Sequence, residues 1–379
     1  MKSVCLIVTA EVSALTFYRG YVRFLAERGW NVTVVAAGTE KLITWAHAEG
    51  GQAYNIPFVR EPDPIRDLRS LWQLARLLHQ LKPDVVVAAT PKAGLLGTIA
   101  SRLCGVPSRI YELWGLRLET ERGIKRHVLA LTERVAMMCS TQILANSASL
   151  RDQAIQLRLP GQKRIMVLGQ GSSHGVNSAF FRRSDDIGVP HEVDRFRTGN
   201  TGLVIGFIGR LSRDKGIDTL LQAVSRCVAR GNDVRLLVVG SPENLSTAEQ
   251  VDQAVACGWA LRIDEAQDIR GYLMAIDVLC LPTLREGFPN IVLEAACLEI
   301  PAIVSDATGA IDSVVDQETG WVFPSGDSVA LADRISWMLG HRAVIGQAGQ
   351  AARQRAVRDF SQSRVWDLKD QNLNQELAQ

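Results

Sequence analysis

Leu281-Pro-Thr-Leu-Arg-Glu-Gly-Phe-Pro-Asn-Ile-Val-Leu-Glu294 decides the fold of this chain. The apolar run Ile276–Leu281 before it has the length and composition of a buried strand. Gly287 and Pro289 break that run, and Asn290–Leu298 restarts as a helical pattern. A strand, a small-residue loop and a fresh helix N-terminus form an anion site, because unpaired N–H groups and the helix dipole point at the same place. Glu286 and Glu294 flank the break. Spaced eight residues apart, they would not align on one helix at about 100° per residue. The break resolves this by placing Glu286 before the helix and Glu294 within its first turns. Carboxylates beside a phosphate site bind hydroxyls, so the segment predicts a nucleotide-sugar.

Working outward, short apolar runs alternate with amphipathic helical stretches. Val4–Thr9, Asn31–Ala36, Asp84–Ala88, Arg109–Leu113 and Thr141–Ala145 are expected to be buried parallel strands. Helical patterns lie between them at Tyr18–Glu27, Leu68–Leu81 and Leu95–Cys104. The alternation restarts after residue 200, with strands at Leu203–Ile208, Arg235–Val239, Val278–Leu281 and Ala302–Val304. Helices are expected at Thr219–Ala229, Asn290–Leu298 and Ser328–Met338. This predicts an α/β protein of two Rossmann-like, doubly wound domains. The polar stretch Arg182–Gly202 would link residues 1–181 to residues 199–352, and a helical tail, 353–379, would pack back on the first domain with Trp366 as its anchor. Such sheets bind ligands beyond the carboxyl ends of their strands, so the expected site is the cleft that the domains face.

Gly209-Arg-Leu-Ser-Arg-Asp-Lys-Gly216 follows the strand Leu203–Ile208 directly. Arg210 and Lys215 flank a turn that opens a helix, and two cations there suit a diphosphate, Arg as a planar fork and Lys as a point charge. Thr90-Pro-Lys-Ala-Gly-Leu-Leu-Gly97 sets Lys92 at another helix start, where an acceptor's diphosphate would fit. After the first strand, Glu11–Tyr18 is expected to be a loop, with Ser13 and Thr16 placed to bind acceptor or phosphate, or to cap the helix that follows.

Bulk properties narrow the class. The chain has 379 residues, enough for about two domains, and a formal net charge of +2. That charge is uneven, with 22 Lys/Arg against 13 Asp/Glu over residues 1–180 and 20 against 27 beyond. The first half is therefore expected to meet something anionic, such as an inner-membrane surface or a lipid phosphate. Arg66, Arg69, Arg76 and Lys82 surround a Leu-rich helical face bearing Trp72, a pattern that fits a membrane surface as well as ordinary packing. Seven scattered cysteines lack C-x-x-C spacing, so neither a disulfide framework nor a zinc site is indicated, and buried thiols in a reducing compartment are expected. No apolar run approaches the ~20 residues of a membrane span and no signal peptide precedes the first strand. A cytoplasmic protein, peripheral on the inner membrane, is expected. A nicotinamide dehydrogenase is disfavoured: Gly169-x-Gly171-x-x-x-Gly175 fails the G-x-G-x-x-G spacing and does not follow the first strand.

The segments 209–216 and 282–295 resemble the signatures of the family 4 glycosyltransferases, which have the GT-B fold. Asp306-Ala-Thr-Gly-Ala-Ile-Asp312 and Glu318-Thr-Gly-Trp321 resemble that family's next block. Thr90–Gly97, Gly115–Thr120 and Gly169–Asn177 narrow the resemblance to bacterial enzymes that build capsule, O-antigen or related glycans on polyprenyl-diphosphate carriers. The resemblance spans nearly the whole chain and implies retaining transfer of a hexose or N-acetylhexosamine from a nucleotide-diphosphate sugar, UDP-sugar foremost, to a lipid-linked saccharide. It implies that Glu286 contacts the donor sugar and Glu294 the ribose. Arg210 and Lys215 would bind the diphosphate beside Gly209, with backbone N–H groups of Gly287, Phe288, Pro289-flanked Asn290 and Ile291 nearby. The base would rest near Asp268–Ile269. No cofactor, metal or nucleic acid is implied, since the two cations take the place of a divalent ion and no D-x-D motif occurs. Where many relatives carry a His near the sugar, this chain reads Tyr111-Glu-Leu-Trp-Gly115, so Trp114 takes that place and His174 is the histidine nearest a motif. A nucleotide-sugar 2-epimerase of the same fold and a non-catalytic subunit of a glycan-assembly complex are the competing readings.

Overall fold

The computed structural model describes residues 2–59, 63–161, 164–199 and 201–378. Two compact units emerge, one of residues 1–174 with 363–379 and the other of residues 175–362. The division falls at His174/Gly175, ahead of the Arg182–Gly202 stretch, whose residue 200 lies outside the described residues. Phe181 accounts for the difference, because it packs into cores of the second unit.

The first unit holds a seven-stranded parallel sheet. Its strands are β1 (Ser3–Ala10), β2 (Asn31–Ala37), β3 (Gln52–Asn55), β4 (Val85–Ala89), β5 (Ser108–Leu113), β6 (Gln142–Ala145) and β7 (Ile165–Met166), in the order β3-β2-β1-β4-β5-β6-β7. The second unit holds a six-stranded parallel sheet of β8 (Leu203–Ile208), β9 (Val234–Val239), β10 (Ala260–Ile263), β11 (Val278–Leu281), β12 (Ala302–Ser305) and β13 (Gly320–Phe323), ordered β10-β9-β8-β11-β12-β13. Helices cover both faces of each sheet, so inner strands such as β8 are buried at every position, and this is why they are continuous apolar runs. In each sheet the order reverses direction once, between β1 and β4 and between β8 and β11. Chain crossings leave a crevice at the carboxyl edge at such a switch point.

Three expectations need correction. Glu11–Phe17 is a helix rather than a loop, closed by a hydrogen bond from Tyr18 N to Ala14 O at 3.0 Å. The next helix begins at Tyr21, not Tyr18, because Gly20 breaks the chain at φ 77° and abuts the Trp366 ring. Third, the thiols are not all buried: Cys257 is exposed, and Cys104 and Cys139 are partly so, because they sit at or near helix ends.

The last helix, Gln362–Leu377, packs on the first unit from Ser363 onward. Trp366 lies 5.4 Å from the Phe24 ring and 6.0 Å from that of Tyr21, while Trp30 Nε1 donates to Asp370 at 2.7 Å. Lys369 Nζ reaches the buried Glu112 at 2.7 Å. The preceding helix, Arg342–Phe360, belongs to the second unit, so the tail divides within residues 353–379.

Candidate active site

In the second unit, the two loops that follow the switch strands β8 and β11 are stitched together. Gly216 has φ 72°, and a Cβ there would lie 1.8 Å from the Pro282 carbonyl oxygen, so only glycine lets the loops touch. Asp214 is the knot. Its carbonyl accepts from Leu284 N at 2.8 Å and Thr283 Oγ1 at 2.9 Å, and its carboxylate accepts from Arg285 at 3.0 Å and from Ser212 Oγ. Burial pushes the Asp214 carboxyl up, but the Ser212 hydroxyl and Arg285 guanidinium outweigh it and hold the group below its ordinary range.

This stitching brings together two residues that the sequence keeps far apart. Lys215 Nζ donates to Glu286 Oε1, and both side chains are mostly buried. Glu286 is held from below by its own N–H, which donates to Thr308 O at 2.8 Å. Gly309, at φ 77°, supports the same loop: a Cβ there would sit 2.6 Å from Glu286 O and 2.7 Å from Gly287 O. Arg210 stands apart from this pair. Its side chain is 56% exposed and 3.6 Å from Glu243 Oε1. Gly209, with φ 150°, precedes it and runs against Gly240, where a Cβ would meet Gly209 O at 1.9 Å.

The helix Asn290–Cys297 starts at Pro289 with no side-chain cap. Phe288, expected to offer its backbone N–H, has its ring buried 5.2 Å from that of Phe360 and beside Val176 and Leu293. Ile291 likewise packs on the core. Glu294 is different. It has neither a hydrogen bond nor an ion pair among the described residues, and burial pushes its carboxyl up to about 7. Near the loop expected to hold a base, Asp268 is already engaged by Arg270, at 3.0 and 2.6 Å, which holds it below the ordinary carboxylate range.

The candidates in the first unit belong to elements at the carboxyl edge of its own sheet. Ser13 and Thr16 lie within the helix Glu11–Phe17 and cap nothing. Lys92 begins the helix Pro91–Leu103 and pairs with Asp67 at 2.7 Å, so its charge is already answered. Trp114 donates from Nε1 to Glu112 at 2.9 Å and lies 4.4 Å from the Phe17 ring. His174 meets the other side of this group, with its ring edge-on to Phe17 at 5.0 Å. Burial, aided by Lys369, pushes its pKa down to about 3, so it is neutral. Sequence reasoning missed Asp214, Thr283, Gly309 and Glu112. All four lie inside quoted segments, Asp214 in 209–216, Thr283 in 281–294, Gly309 in 306–312 and Glu112 in 111–115, but their partners are distant in sequence or carry no pattern of their own.

A family model described as "Glycosyl transferase 4-like domain" matches residues 16–171, and one described as "Glycosyl transferases group 1" matches residues 202–341. The chain is 35% identical over 370 residues to the capsular polysaccharide biosynthesis glycosyltransferase CapM of Staphylococcus aureus, covering 97% of this chain and 96% of that one. The chain belongs to the family 4 glycosyltransferases. Another family 4 relative is the Escherichia coli UDP-Gal:alpha-D-GlcNAc-diphosphoundecaprenol alpha-1,3-galactosyltransferase, 27% identical over 288 residues and covering 73% of this chain and 72% of that one. The structure of Anabaena HepE with UDP and glucose superposes with a TM-score of 0.77 at 18% identity, over 99% of this chain and 100% of that one, and shares the GT-B fold.

Proposed function

We propose that this glycosyltransferase moves a hexose or N-acetylhexosamine, with retention, from a UDP-sugar to a lipid-linked saccharide in the assembly of a cell-surface polysaccharide. The observation that carries the reading is the Lys215–Glu286 pair, set at a topological switch point beside an uncapped helix start. In the reaction the bond between the anomeric carbon and the diphosphate oxygen breaks, and negative charge grows on the nucleotide. Lys215, held by Glu286, is a fixed cation beside that leaving group, the kind of preorganised charge that is usually the largest catalytic contribution, and the more exposed Arg210 closes on the diphosphate as the donor binds. Glu286 accepts from donor-sugar hydroxyls, and Glu294 from ribose hydroxyls. No protein nucleophile is assigned: the acceptor hydroxyl attacks on the face that the nucleotide leaves, and its proton passes to the departing diphosphate oxygen. The two cations make a divalent ion unnecessary, and no cofactor takes part. Relatives support the chemistry: one is a capsular polysaccharide biosynthesis glycosyltransferase, one is a UDP-Gal:alpha-D-GlcNAc-diphosphoundecaprenol galactosyltransferase, and a protein of the same fold is known in complex with UDP and glucose.

The test is thermal shift with UDP, GDP, ADP and CDP, with and without Mg²⁺, followed by transfer assays with UDP-sugars and a polyprenyl-diphosphate saccharide. A ligand that binds only the folded state raises its apparent stability. UDP should stabilise the protein regardless of Mg²⁺, and the product should keep the donor's anomeric configuration. Glu286→Gln should fold normally and lose turnover; unchanged turnover would sink the assignment. Release of free UDP with an epimerised sugar, and no acceptor-dependent product, would favour the epimerase instead.

A further inference from the structure

The outer side of one helix in the first unit is apolar where solvent should make it polar. In the helix Gly123–Cys139 the buried residues are Glu133, Ala136 and Met137. On the opposite side run Ile124, Val128, Leu131 and Met138, with Ile124 82% and Leu131 60% exposed. A surface helix normally points its apolar stripe at the core. This one carries a second stripe pointing away from it, which leaves those four side chains exposed among the described residues.

Cations border that stripe. Arg122 and Arg126 have no carboxylate partner among the described residues, and Arg134 donates only to the Arg158 carbonyl, at 3.5 Å. Together with His127 they line an open groove of about 600 Å³ floored by Leu118 and Leu157. The helix's one acid, Glu133, is buried and accepts from the Tyr111 hydroxyl at 2.7 Å, so it does not answer their charge. The pattern recurs on the helix Pro64–Leu81. Ser70, Leu74 and Leu78 face the core, while Ile65 (83% exposed), Leu68 and Trp72 (61%) point outward, with Arg69 and Arg76 alongside and the Arg76 guanidinium 5.7 Å from the Trp72 ring. Helix Pro91–Leu103 packs against both, so all three form one layer. Its exposed Leu103 adds to the surface.

We propose that this layer is a docking face for an anionic phospholipid surface, with Ile65, Trp72, Ile124, Val128 and Leu131 entering the interface and Arg122, Arg126 and Arg134 taking lipid phosphates. Charge selects this occupant. The unit carries 24 Lys/Arg against 16 Asp/Glu, whereas the second unit carries 18 against 24. A second copy docked face to face would set arginines against arginines, since a twofold contact repeats the same patch on both sides. Exposed apolar residues and a Trp interleaved with cations are what an interfacial helix needs. Among the described residues no helix is long and apolar enough to cross a membrane, so the face lies on the surface. The inference stands apart from the acceptor assignment, because it needs lipid headgroups and no glycan.

The experiment is sedimentation of the full chain, without substrates, on phosphatidylglycerol/phosphatidylcholine vesicles and on phosphatidylcholine alone. Binding should require the anionic lipid and weaken with salt. The triple variant Ile124→Ser/Val128→Ser/Leu131→Ser and, separately, Arg122→Glu/Arg126→Glu should each lower partition at least about tenfold. Both variants change only exposed positions, so the melting temperature should hold, as should nucleotide-induced stabilisation in solution. Wild-type protein that stays in the supernatant, or variants that sediment like wild type, would overturn the proposal. So would a concentration-dependent dimer abolished by the triple variant. If vesicle binding fails while transfer to a lipid-linked acceptor in detergent persists, the docking face is wrong and the proposed function stands.

Discussion

Glu294→Gln should make the empty protein more stable and a poorer enzyme, and the stability gain should depend on pH. Burial raises the Glu294 carboxyl from an ordinary 4.5 to about 7 in the folded state. Between those values the folded chain holds a proton that the unfolded chain has released. Stability therefore falls as pH rises through this window, since its slope follows the unfolded minus the folded proton count. At 1.36 kcal/mol per pKa unit, the wild-type penalty is below about 1 kcal/mol at pH 5 and about 3 kcal/mol at pH 8. Gln is isosteric and uncharged and removes it. In a unit of this size, about 3 kcal/mol corresponds to roughly 6–12 °C of melting temperature at pH 8, shrinking to at most about 2–4 °C at pH 5. Calorimetry of both proteins at the two pH values measures this. The same substitution removes a charged acceptor from the ribose, so UDP affinity should drop about tenfold or more, because hydrogen bonds to charged groups contribute roughly 1.5–3 kcal/mol. A gain equal at both pH values would refute a buried charge as the cause. A gain at pH 8 with unchanged UDP affinity would refute the ribose assignment.

Lys215→Ala should abolish UDP-induced stabilisation, and the double variant Lys215→Ala/Glu286→Gln should be no worse in stability than Lys215→Ala, because the remaining carboxylate no longer lacks its cation; additive losses in a thermal double-mutant cycle would contradict the coupling. Gly216→Ala forces a Cβ to within 1.8 Å of Pro282 O at φ 72°, so it should cost at least about 1–3 kcal/mol and lower turnover together, read by melting and transfer assays. Lys369→Met strands the buried Glu112 and should destabilise the chain by about 3–5 kcal/mol, with much of the loss recovered by Lys369→Met/Glu112→Leu in denaturant titration.

The inner strands were legible because burial on both faces writes an uninterrupted apolar run. The strands that sequence reasoning did not find are β3, β7, β10 and β13, and these are the four sheet edges. Each has two to four residues with interrupted burial, or, for β13, a short run after a turn, so no periodic signal builds up. Glu11–Phe17 was missed for another reason. Its Val, Ser, Thr and Phe are weak helix formers, and only attachment to β1 and the buried Ala14 make it helical. In the site, motif 209–216 and motif 282–294 were each legible alone. Their junction was not, since Lys215 and Glu286 are 71 positions apart and meet only because β8 and β11 are neighbours. Phe288 shows the converse, an aromatic inside a functional motif whose ring serves the core.

The two acidic residues of the proposed donor site are held in opposite conditions, Glu286 paired with Lys215 and Glu294 buried without a partner among the described residues, and the roles proposed for them account for the difference. Glu286 already has a cation, so a sugar hydroxyl that bonds it adds to a preformed charge and leaves Lys215 a free valence for phosphate. Glu294 has no partner and is kept partly protonated by its surroundings, so its charge is completed only when ligand hydroxyls arrive to donate to it. Hydrogen bonds to the charged form lower a carboxyl's pKa, so donor binding between about pH 5 and pH 7 should release a proton from Glu294. Burial thus places a destabilising charge at Glu294; if the proposed ribose contact relieves it, affinity itself becomes pH-dependent. Below about pH 7 binding must first remove that proton and weakens; above it the empty site already holds the charge at the folded state's expense.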